Sequence, residues 1–458
     1  MAKIVLGTHT NSFPLWPSTV TLEKGEENTH AHIIGKSGMG KSRLLTSLFL
    51  QRLKAGQAAS LVDPHSDLAR DILGHLIEEG YFQKPNHKLL FVEFERDDYY
   101  IPFDILHQPH LPPDCIADDI VEAMHRAFPE LRTGAAQFDT LVVNGVELLI
   151  RNHLPLPALF PLILDEEYRQ QLLENVDNYG LQAYFKNFDR LKDSEQANQS
   201  LSTLRRINLL TRSPVMEMAL GQQGQNVLNF RELMDQGISV IYDLGKIQNA
   251  NAARLLGCLI TVGYERAAFS RKVSPNRTVH HLIIDEFGEF AAQSSEALEG
   301  MLSGTRKFGL FVTMSHQTLG QLAGKLHSAL QNIGLKISLR IGDSDARELG
   351  REYGGYDPDL VKHAADRGHP LFFSIQEQQE AWVKALTHLP KQTALVKVGD
   401  KPTYQIRLLD VPDPKVTPAE IDRVKEYYAR QIMRHKDQIR LPYRVQHEET
   451  IGRTAPRS

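Results

Sequence analysis

The sequence predicts an α/β fold in which helices cover a mostly parallel sheet, and three observations support this class. Apolar runs of strand length alternate along the chain with amphipathic stretches of helix length, as is typical of βαβ units. One apolar run stops at a glycine-rich loop that contains lysine, and another stops at two adjacent acids. The length of 458 residues accommodates such a core and an additional region, since single domains usually hold about 100–200 residues.

The predicted strands are short apolar runs, most of them separated by helical stretches. Continuous apolar character, rather than alternation, is typical of strands that are buried on both faces of a parallel sheet. The turn signals at Phe13-Pro14 and Gly25 predict a small N-terminal β-rich cap over the first 28 residues. The further strands are predicted at residues 30–34, 59–62, 89–94, 238–242, 280–284, 310–314, 336–341 and 370–374.

Strand patterns disappear between about residues 112 and 214, where aliphatic residues recur at helical spacing, as at Ile116 and Ile120. We therefore predict an all-helical insertion in the α/β core. After Asp410 the segment VPDP breaks the pattern, and residues 418–436 are predicted to form one exposed helix before the tail. The predicted domains are the cap at 1–28, the core at 29–111, the insertion at 112–214, the second part of the core at 215–411, and a C-terminal helix and tail at 412–458.

Composition and charge exclude several classes of protein. Hydrophobic residues make up 41% of the sequence and charged residues 24%, which is ordinary for a globular chain and excludes a disordered or collagen-like one. The two cysteines, Cys115 and Cys258, are too few for a disulfide framework and too far apart for a CxxC metal site. The first residues do not have the pattern of a signal peptide, so we expect a cytoplasmic protein without direct membrane insertion. The net charge of −4 predicts no overall attraction to nucleic acid.

The most specific motif is GKSGMGKS at residues 35–42, which matches GxxxxGK[ST] in full. In this motif backbone N–H groups surround the β-phosphate of a nucleotide, the lysine contacts the β and γ oxygens, and the hydroxyl binds Mg²⁺. The motif lies between a predicted strand and a leucine-rich helix whose N-terminus favours phosphate. The sequence therefore predicts ATP and Mg²⁺ as cofactors, with Lys41 also catalytic and Ser42 a metal ligand. The predicted cofactor-binding residues are Gly35, Lys36, Ser37, Gly38, Met39, Gly40, Lys41, Ser42 and Arg43.

Two adjacent acids, Asp285 and Glu286, end the predicted strand at 280–284. In phosphoryl transfer one carboxylate orients Mg²⁺ and another residue polarises the attacking water. We assign the metal-ligand role to Asp285 and the catalytic role to Glu286. A strand followed by two acids is a weak signal alone, but together with the loop at 35–42 it predicts the second half of one ATP-hydrolysing site. His280 and His281 are predicted to pack or face solvent, because no third metal ligand lies at suitable spacing.

Further candidates for the same site have alternative interpretations. Arg306, at the end of a predicted helix, is either an arginine finger that reaches a neighbouring subunit or a cation that stabilises the helix C-terminus. Gln317, after the strand at 310–314, is a candidate catalytic sensor of the γ-phosphate, and His316 is a weaker candidate. Asp63 and His65 lie at the end of the second core strand, where they either line the site or precede a helix that Ser66 or Asp67 caps.

Basic residues outside these motifs are candidates for contact with a polyanion. Arg205, Arg206 and Arg212 form a basic cluster in the predicted helical insertion, which is either a solvated face or a contact to DNA. Lys246 lies in a predicted loop after the strand at 238–242. A threaded polyanion is one possible partner of this lysine, since any such contact must come from a local patch when the net charge is negative.

Taken together, these segments resemble the HerA/FtsK superfamily of ring-forming P-loop ATPases, and most closely its branch of TraG/TraD-like conjugative coupling proteins. The resemblance covers about residues 3–411. Only the loop at 35–42 is specific by itself, and the order of the other segments adds to it. These other segments are 4–7, 62–67, 102–106, 282–290, 302–309, 315–317 and 343–346.

The resemblance implies a RecA-like P-loop NTPase core, a hexameric ring and ATP-driven translocation of double-stranded DNA for a mobile element, a DNA-processing system or a defence system. The implied partners are DNA, further copies of the same chain, and a nuclease or a secretion-system protein. Coupling proteins usually carry N-terminal membrane helices, and we expect a form without them. Two alternatives stay open. One is a nucleotide-gated interaction module that moves nothing, and the other is an ATPase that unfolds or secretes protein.

Overall fold

The computed structural model describes residues 3–10, 18–84, 87–129, 135–274, 276–290, 295–321, 329–330, 333–354, 357–363 and 371–444. The chain divides into two compact units that are interleaved in sequence. The first unit takes Met1–Asp63, Asp67–Lys88 and Val273–Val416, and the second unit takes Pro64–Ser66, Leu89–Lys272 and Thr417–Ser458. Each unit contains parallel strands and helices, so the predicted α/β class is confirmed. The predicted domain boundaries stay predictions.

The strands are β1 Ile4–His9, β2 Thr19–Leu22, β3 Ala31–Ile34, β4 Ala58–Asp63, β5 Leu89–Glu93, β6 Glu95–Arg96, β7 Tyr99–Tyr100, β8 Ser239–Asp243, β9 His280–Ile284, β10 Leu310–His316, β11 Leu335–Ser338, β12 Val361–His363, β13 Leu371–Phe372, β14 Thr393–Val398, β15 Tyr404–Leu408 and β16 Arg434–His435. The helices are α1 Lys41–Lys54, α2 Asp67–Glu78, α3 Pro113–Ala127, α4 Ala135–Arg151, α5 Leu159–Leu164, α6 Glu166–Glu174, α7 Tyr179–Asp189, α8 Asp193–Ile207, α9 Leu209–Arg212, α10 Pro214–Leu220, α11 Phe230–Gln236, α12 Ala250–Phe269, α13 Ser295–Gly304, α14 Asp343–Tyr353, α15 Ile375–His388 and α16 Pro418–Ile432.

The sheet of the first unit has the strand order β2-β1-β15-β14-β11-β3-β10-β9-β4. Its strands β11, β3, β10, β9 and β4 are parallel, and every residue of these strands is buried. This burial explains their continuous apolar runs. The strands β14, β15, β1 and β2 continue the sheet by antiparallel pairing. The strands β1 and β2 come from the predicted N-terminal cap and thus belong to the same sheet.

Two predicted strands of the first unit differ from the structure. The run at 336–341 is a strand only to Ser338, and beyond it the backbone carbonyl of Arg340 accepts a hydrogen bond from Lys36 N at 2.8 Å. The run at 370–374 contributes only β13, which pairs with β12 outside the main sheet. Leu371 and Phe372 of β13 are 63% and 45% exposed, so apolar character there did not indicate a buried strand. Residue 370 lies outside the described residues.

In the second unit β5 and β8 pair in parallel, with Leu89 opposite Ser239. The described part of the predicted helical insertion at 112–214 contains the helices α3 to α9 and no strand, and α10 begins at its last residue. The helix α12 packs beside α3 through two ion pairs that link opposite charges. Arg266 contacts Asp119 at 2.6 Å, and Arg126 contacts Glu265 at 3.0 Å.

The predicted exposed C-terminal helix is partly buried, so this prediction was wrong in its exposure and in its end. The helix α16 ends at Ile432 rather than at residue 436. Its Tyr428 hydroxyl donates to the carbonyl of Leu89 at 2.6 Å. Its Lys425 donates to Glu93 at 2.6 Å and to Asp243 at 3.3 Å. A lysine is almost never buried unless it is paired, and the paired acids are distant in sequence, so the helical pattern alone did not reveal this burial.

Buried histidines lie along the parallel strands of the first unit. His32 and His316 meet through their Nε2 atoms at 2.8 Å, and Arg52 Nη1 donates to His281 Nε2 at 2.8 Å. The backbone N–H of Val312 donates to His30 Nδ1 at 3.0 Å. Burial lowers the pKa of His30 to about 4, and the Arg306 charge also lowers it. Burial and the Arg52 charge hold the pKa of His281 well below its ordinary value.

We expect the free energy of unfolding to fall as the pH is lowered from 6.5 to 4. The unfolded form of His30 has the ordinary pKa of 6.5 and the folded form a pKa of about 4. Between these values the unfolded state binds more protons, so stability that is present above pH 6.5 is lost as the pH falls. The expected loss for this group is about 1.4 kcal/mol per pH unit. Urea unfolding followed by circular dichroism at several pH values measures it.

The matched control for this prediction is His30→Asn, which keeps a hydrogen-bond acceptor but has no titrating ring. We expect its stability to depend less steeply on pH between 4 and 6.5 than that of the wild type, since one proton fewer is taken up on unfolding. Equal slopes in the two proteins would contradict the assignment of His30 as a buried neutral group.

Candidate nucleotide-binding site

The predicted phosphate-binding loop connects β3 to α1 at the carboxyl edge of the parallel strands in the first unit. Gly38 and Gly40 have φ angles of 76° and 113°, a left-handed conformation that glycine adopts without steric cost. The N-cap of α1 is Gly40, and no side chain caps this helix. Because the first amides of a helix have no partner within the helix, the N-terminus of α1 offers N–H groups to an anion.

Neighbouring backbone holds this loop in place. Gly35 N–H donates to the carbonyl of His316 at 3.3 Å, and Lys36 N–H donates to the carbonyl of Arg340 at 2.8 Å. The N–H of Gln392 donates to the carbonyl of Met39 at 2.9 Å. The loop is thus bonded to the ends of strands β10 and β11 and to the start of β14, whereas residues 36–38 are exposed. Such a preformed loop lowers the entropy that ordering it on a ligand would cost.

The register of the sheet brings distant parts of the sequence to this loop. In β10, His316 lies opposite Ile34 of β3, and Met314 lies opposite Ile284 of β9. Parallel strands that are in register end at the same edge, so the residues that follow β3, β9 and β10 meet there. Gly35, Asp285 and Gln317 are therefore neighbours at one edge of the sheet.

Four residues that the sequence predicted as functional form one connected cluster. Lys41 Nζ donates to Glu286 Oε1 at 2.7 Å and lies 4.0 Å from Asp285 Oδ1. Gln317 Nε2 donates to the same Glu286 oxygen at 2.9 Å. The side chains of Lys41 and Glu286 are only 8% and 5% exposed, so water screens their charges weakly. The cluster joins the lysine of the loop to the acid pair.

Glu286 reaches Lys41 through an unusual backbone conformation. Its φ and ψ angles are 45° and 51°, in the left-handed region that side chains other than glycine rarely adopt. Such a conformation costs about 1–3 kcal/mol and persists only where the surroundings impose it. The strain lies at the one residue to which we assign activation of water.

Ser315 orients the predicted metal ligand and was not predicted as a site residue. Its hydroxyl donates to Asp285 Oδ1 at 2.7 Å. The signal in the sequence was a hydroxyl side chain near the end of the strand, two residues before Gln317. This hydrogen bond fixes the orientation of Asp285, and partners of ligands tune a site in this way.

The residues at this edge fit a magnesium ion that is bound together with a nucleotide. Ser42 is exposed in the first turn of α1, and Asp285 supplies a carboxylate oxygen near Lys41. Within the described ranges no group of three His, Cys, Asp or Glu side chains is suited to hold a metal ion. Mg²⁺ needs no such group, since it is usually held by one or two carboxylates, water and the phosphates of the substrate.

Arg43, predicted to bind the cofactor, has acidic partners in the first unit. Its guanidinium contacts Asp71 of α2 at 3.5 Å and also pairs with Asp413. Thr46 donates to Asp71 at 2.8 Å. The acids are remote from Arg43 in sequence, so spacing did not indicate these pairs. A nucleotide contact of Arg43 stays a prediction, and any such contact competes with two carboxylates.

Arg306 is not part of the cluster in its own chain. It lies in the turn Thr305–Phe308 before β10, whereas Gln317 follows this strand. A strand of seven residues separates the two ends by about 20 Å. The proximity of Arg306 to His30, which precedes β3, also puts it at the amino edge of the sheet. Its predicted role as an arginine finger therefore requires a second subunit and stays a prediction.

Asp63 makes a hydrogen bond that is expected of a helix cap. It is buried at the end of β4, and its Oδ2 accepts from the backbone N–H of Ala69 in α2 at 2.8 Å. A capping hydrogen bond is therefore present at this helix, and it comes from Asp63, whereas Ser66 or Asp67 was the predicted cap. An acid that satisfies orphan amides in the first turn of a helix stabilises that helix by about 1 kcal/mol.

Comparison with known proteins identifies relatives of the sequence and of the fold. The family described as the type IV secretion-system coupling protein DNA-binding domain matches residues 15–355. No curated protein matches the sequence. Among the described residues, no helix combines the length and the apolar character that crossing a bilayer requires.

Solved structures with this fold include a plasmid coupling protein and VirB4. The plasmid coupling protein TrwB in complex with a GTP analogue has a TM-score of 0.61 and 16% identity, over 91% of this chain and 97% of that chain. TrwB with ADP and Mg²⁺ has a TM-score of 0.58 and 16% identity over the same shares. VirB4 of Thermoanaerobacter pseudethanolicus has a TM-score of 0.56 and 13% identity, again over 91% and 97%. At these identities the likeness shows a common fold.

Proposed function

Because the chain belongs to the family of the type IV secretion-system coupling protein DNA-binding domain, we propose that it is an ATPase that translocates double-stranded DNA as a hexameric ring. The observation that carries the ATPase part is the contact between Lys41 and Glu286 at 2.7 Å beside the glycine-rich loop. The solved TrwB complexes with ADP and Mg²⁺ and with a GTP analogue support nucleotide binding by a chain of this fold.

In this proposal the chain binds the phosphates of ATP through the amides of residues 35–42. Lys41 exchanges its contact with Glu286 for the β and γ oxygens, since a phosphate carries more negative charge than one carboxylate. Mg²⁺, when bound, would supply positive charge to the phosphates. Asp285, which Ser315 orients, and the hydroxyl of Ser42 would hold this ion.

Once Lys41 has moved to the phosphates, the Glu286 carboxylate accepts a proton from the attacking water. A general base must lie within hydrogen-bond reach of this water, and the left-handed backbone of Glu286 directs the carboxylate toward the loop. Gln317 and Lys41 donate to the same oxygen of Glu286, so the hydrogen bond of Gln317 changes when a phosphate takes Lys41 away from Glu286. We assign to Gln317 the sensing of the γ-phosphate.

In this proposal Arg306 acts only in the oligomer, on the nucleotide of a neighbouring subunit. An arginine stabilises charge in the transition state of phosphoryl transfer and can come from a neighbouring subunit. Arg306 is exposed and lies at the opposite edge of the sheet from Glu286, which supports action in trans rather than in cis. We further propose a cytoplasmic location and a nuclease or secretion-system protein as an additional partner.

We expect duplex DNA to raise the rate of ATP hydrolysis by the purified chain, because a motor couples turnover to its track. Steady-state phosphate release is measured with duplex DNA, with an unfolded polypeptide and without polymer, and light scattering with ATP reports the assembly. Stimulation by polypeptide alone would instead indicate an ATPase that moves protein. Turnover that no polymer changes would indicate a nucleotide-gated interaction module.

A further inference from the structure

The second unit contains a cavity of about 600 Å³ beside the carboxyl ends of its parallel strands. Residues of three segments, 93–97, 212–215 and 246–249, line this cavity. The strands β5 and β8 end at Glu93 and Asp243. In α/β proteins, ligands commonly bind in a crevice at this end of the strands, so the cavity is a candidate binding site separate from the loop at 35–42.

The segment 93–97 carries all the acidic side chains of the cavity, and these acids have partners. Glu93 accepts from Lys425 at 2.6 Å and from Arg96 at 3.1 Å. Glu95 accepts from the Tyr100 hydroxyl at 3.2 Å. Asp97 lies 3.7 Å from Arg96. Arg96 and Lys425 thus compensate part of the negative charge on this side, whereas the partner of Glu95 is a neutral hydroxyl.

The segments 212–215 and 246–249 carry no acid, and their cations are available. Arg212 and Lys246 are exposed, and in the part of the chain that the structure describes neither has an acidic partner within 4.0 Å. Ser213 is only 5% exposed, yet its side chain does not cap the following helix α10. Two free cations and a hydroxyl thus face one cavity from segments about 30 residues apart.

We propose that this cavity holds a phosphate of a nucleic-acid backbone, with Arg212 and Lys246 supplying charge and Ser213 a hydrogen bond. Arginine, lysine and serine are among the residue types that contact phosphates in protein–DNA complexes. The proposal rests on the proposed DNA translocase and specifies where such a chain grips its track. Arg206, from the same predicted basic cluster, lies instead over the Phe138 ring at 5.9 Å. The fold thus places Arg212, and not Arg206, at the cavity.

The test is duplex DNA binding by the full chain, measured by fluorescence anisotropy over a series of salt concentrations. Each phosphate contact contributes about 0.9 to the slope of log affinity against log salt. We expect the double variant Arg212→Ala/Lys246→Ala to have a slope lower by about 1.8, equally for duplexes of different base composition. Lys246→Arg is expected to keep the wild-type slope, because arginine also contacts phosphate.

The matched control is Lys24→Ala, which removes an exposed lysine of the first unit and is expected to leave the slope unchanged. Binding of a fluorescent ADP analogue and thermal unfolding are expected to be equal in all variants, which shows that they are folded. A wild-type salt slope in the double variant would overturn the proposed phosphate contact in the cavity and leave the translocase proposal intact. No binding of DNA by the wild type would overturn both. If the wild type binds inorganic phosphate at this cavity while the double variant binds DNA with unchanged affinity, the cavity takes free phosphate. This result would overturn the proposed DNA contact.

Discussion

Replacing Lys41 with alanine is expected to lower the rate of ATP hydrolysis by about 10²–10³-fold, the cost of removing one preorganised donor from a charged transition state. The ammonium group of Lys41 is buried beside Asp285 and Glu286, where a low dielectric strengthens its action on the phosphate. Nucleotide affinity is expected to fall as well, because Lys41 contacts the ground-state phosphates in the proposed complex. Phosphate release and equilibrium titration with a fluorescent ATP analogue measure the two effects.

The control for this prediction is Lys54→Ala, at the last residue of the same helix. Lys54 is 58% exposed and pairs with Glu79 at the surface, and such pairs contribute little to stability. Its turnover is expected to equal that of the wild type. Circular dichroism of Lys41→Ala is needed beside it, since this variant leaves two buried carboxylates near each other. A folded Lys41→Ala protein with normal turnover would refute the proposed site.

Replacing Glu286 with glutamine is expected to separate nucleotide binding from chemistry. The amide has nearly the shape of the carboxylate but cannot accept the proton of the attacking water, and loss of a general base costs about 10²–10⁴-fold in rate. Affinity for ATP is expected to be equal or higher, because the variant removes a negative charge that holds Lys41 and opposes a phosphate. Single-turnover hydrolysis and nucleotide titration on one preparation measure both quantities.

Glu289→Gln is the matched substitution for comparison. Glu289 ends the 3₁₀ turn that follows Glu286, so this variant changes the same functional group a few residues away. Its turnover is expected to be close to that of the wild type. If Glu286→Gln hydrolyses ATP normally, or if both variants lose activity equally, Glu286 is not the base, and the short contact with Lys41 has only a structural role.

The helical region and the C-terminal helix illustrate what helical spacing in a sequence can and cannot predict. Helical spacing of aliphatic residues indicated the region of α3 to α10 correctly, because such spacing reports one buried face and needs no knowledge of the partner. The same reasoning gave the wrong exposure for α16. Its buried Lys425 is held by Glu93 and Asp243, which are more than 180 residues away in sequence. A pattern of neighbouring residues cannot indicate a contact over such a separation.

The antiparallel part of the sheet shows a second limit of prediction from sequence patterns. The strands β14 and β15 were not predicted, although they join β1 and β2 to the parallel core. The single-residue alternation of β15, with buried Ile406 and Leu408 around exposed Arg407, is a weak signal over five residues. Pairing decides whether such a segment becomes a strand, since isolated hairpins are only marginally stable in water.

The sequence by itself determined the chemistry that is local to one segment: the glycine-rich loop with Lys41, the strand that ends in Asp285 and Glu286, and the strand that ends near Gln317. Only the tertiary structure decided that these ends meet, that Ser315 holds Asp285, that Arg306 lies at the far edge, and that Arg212 and Lys246 share one cavity. The physical reason is that a motif is specified by neighbouring residues, whereas a site is assembled by strand register and by packing between distant parts of the chain.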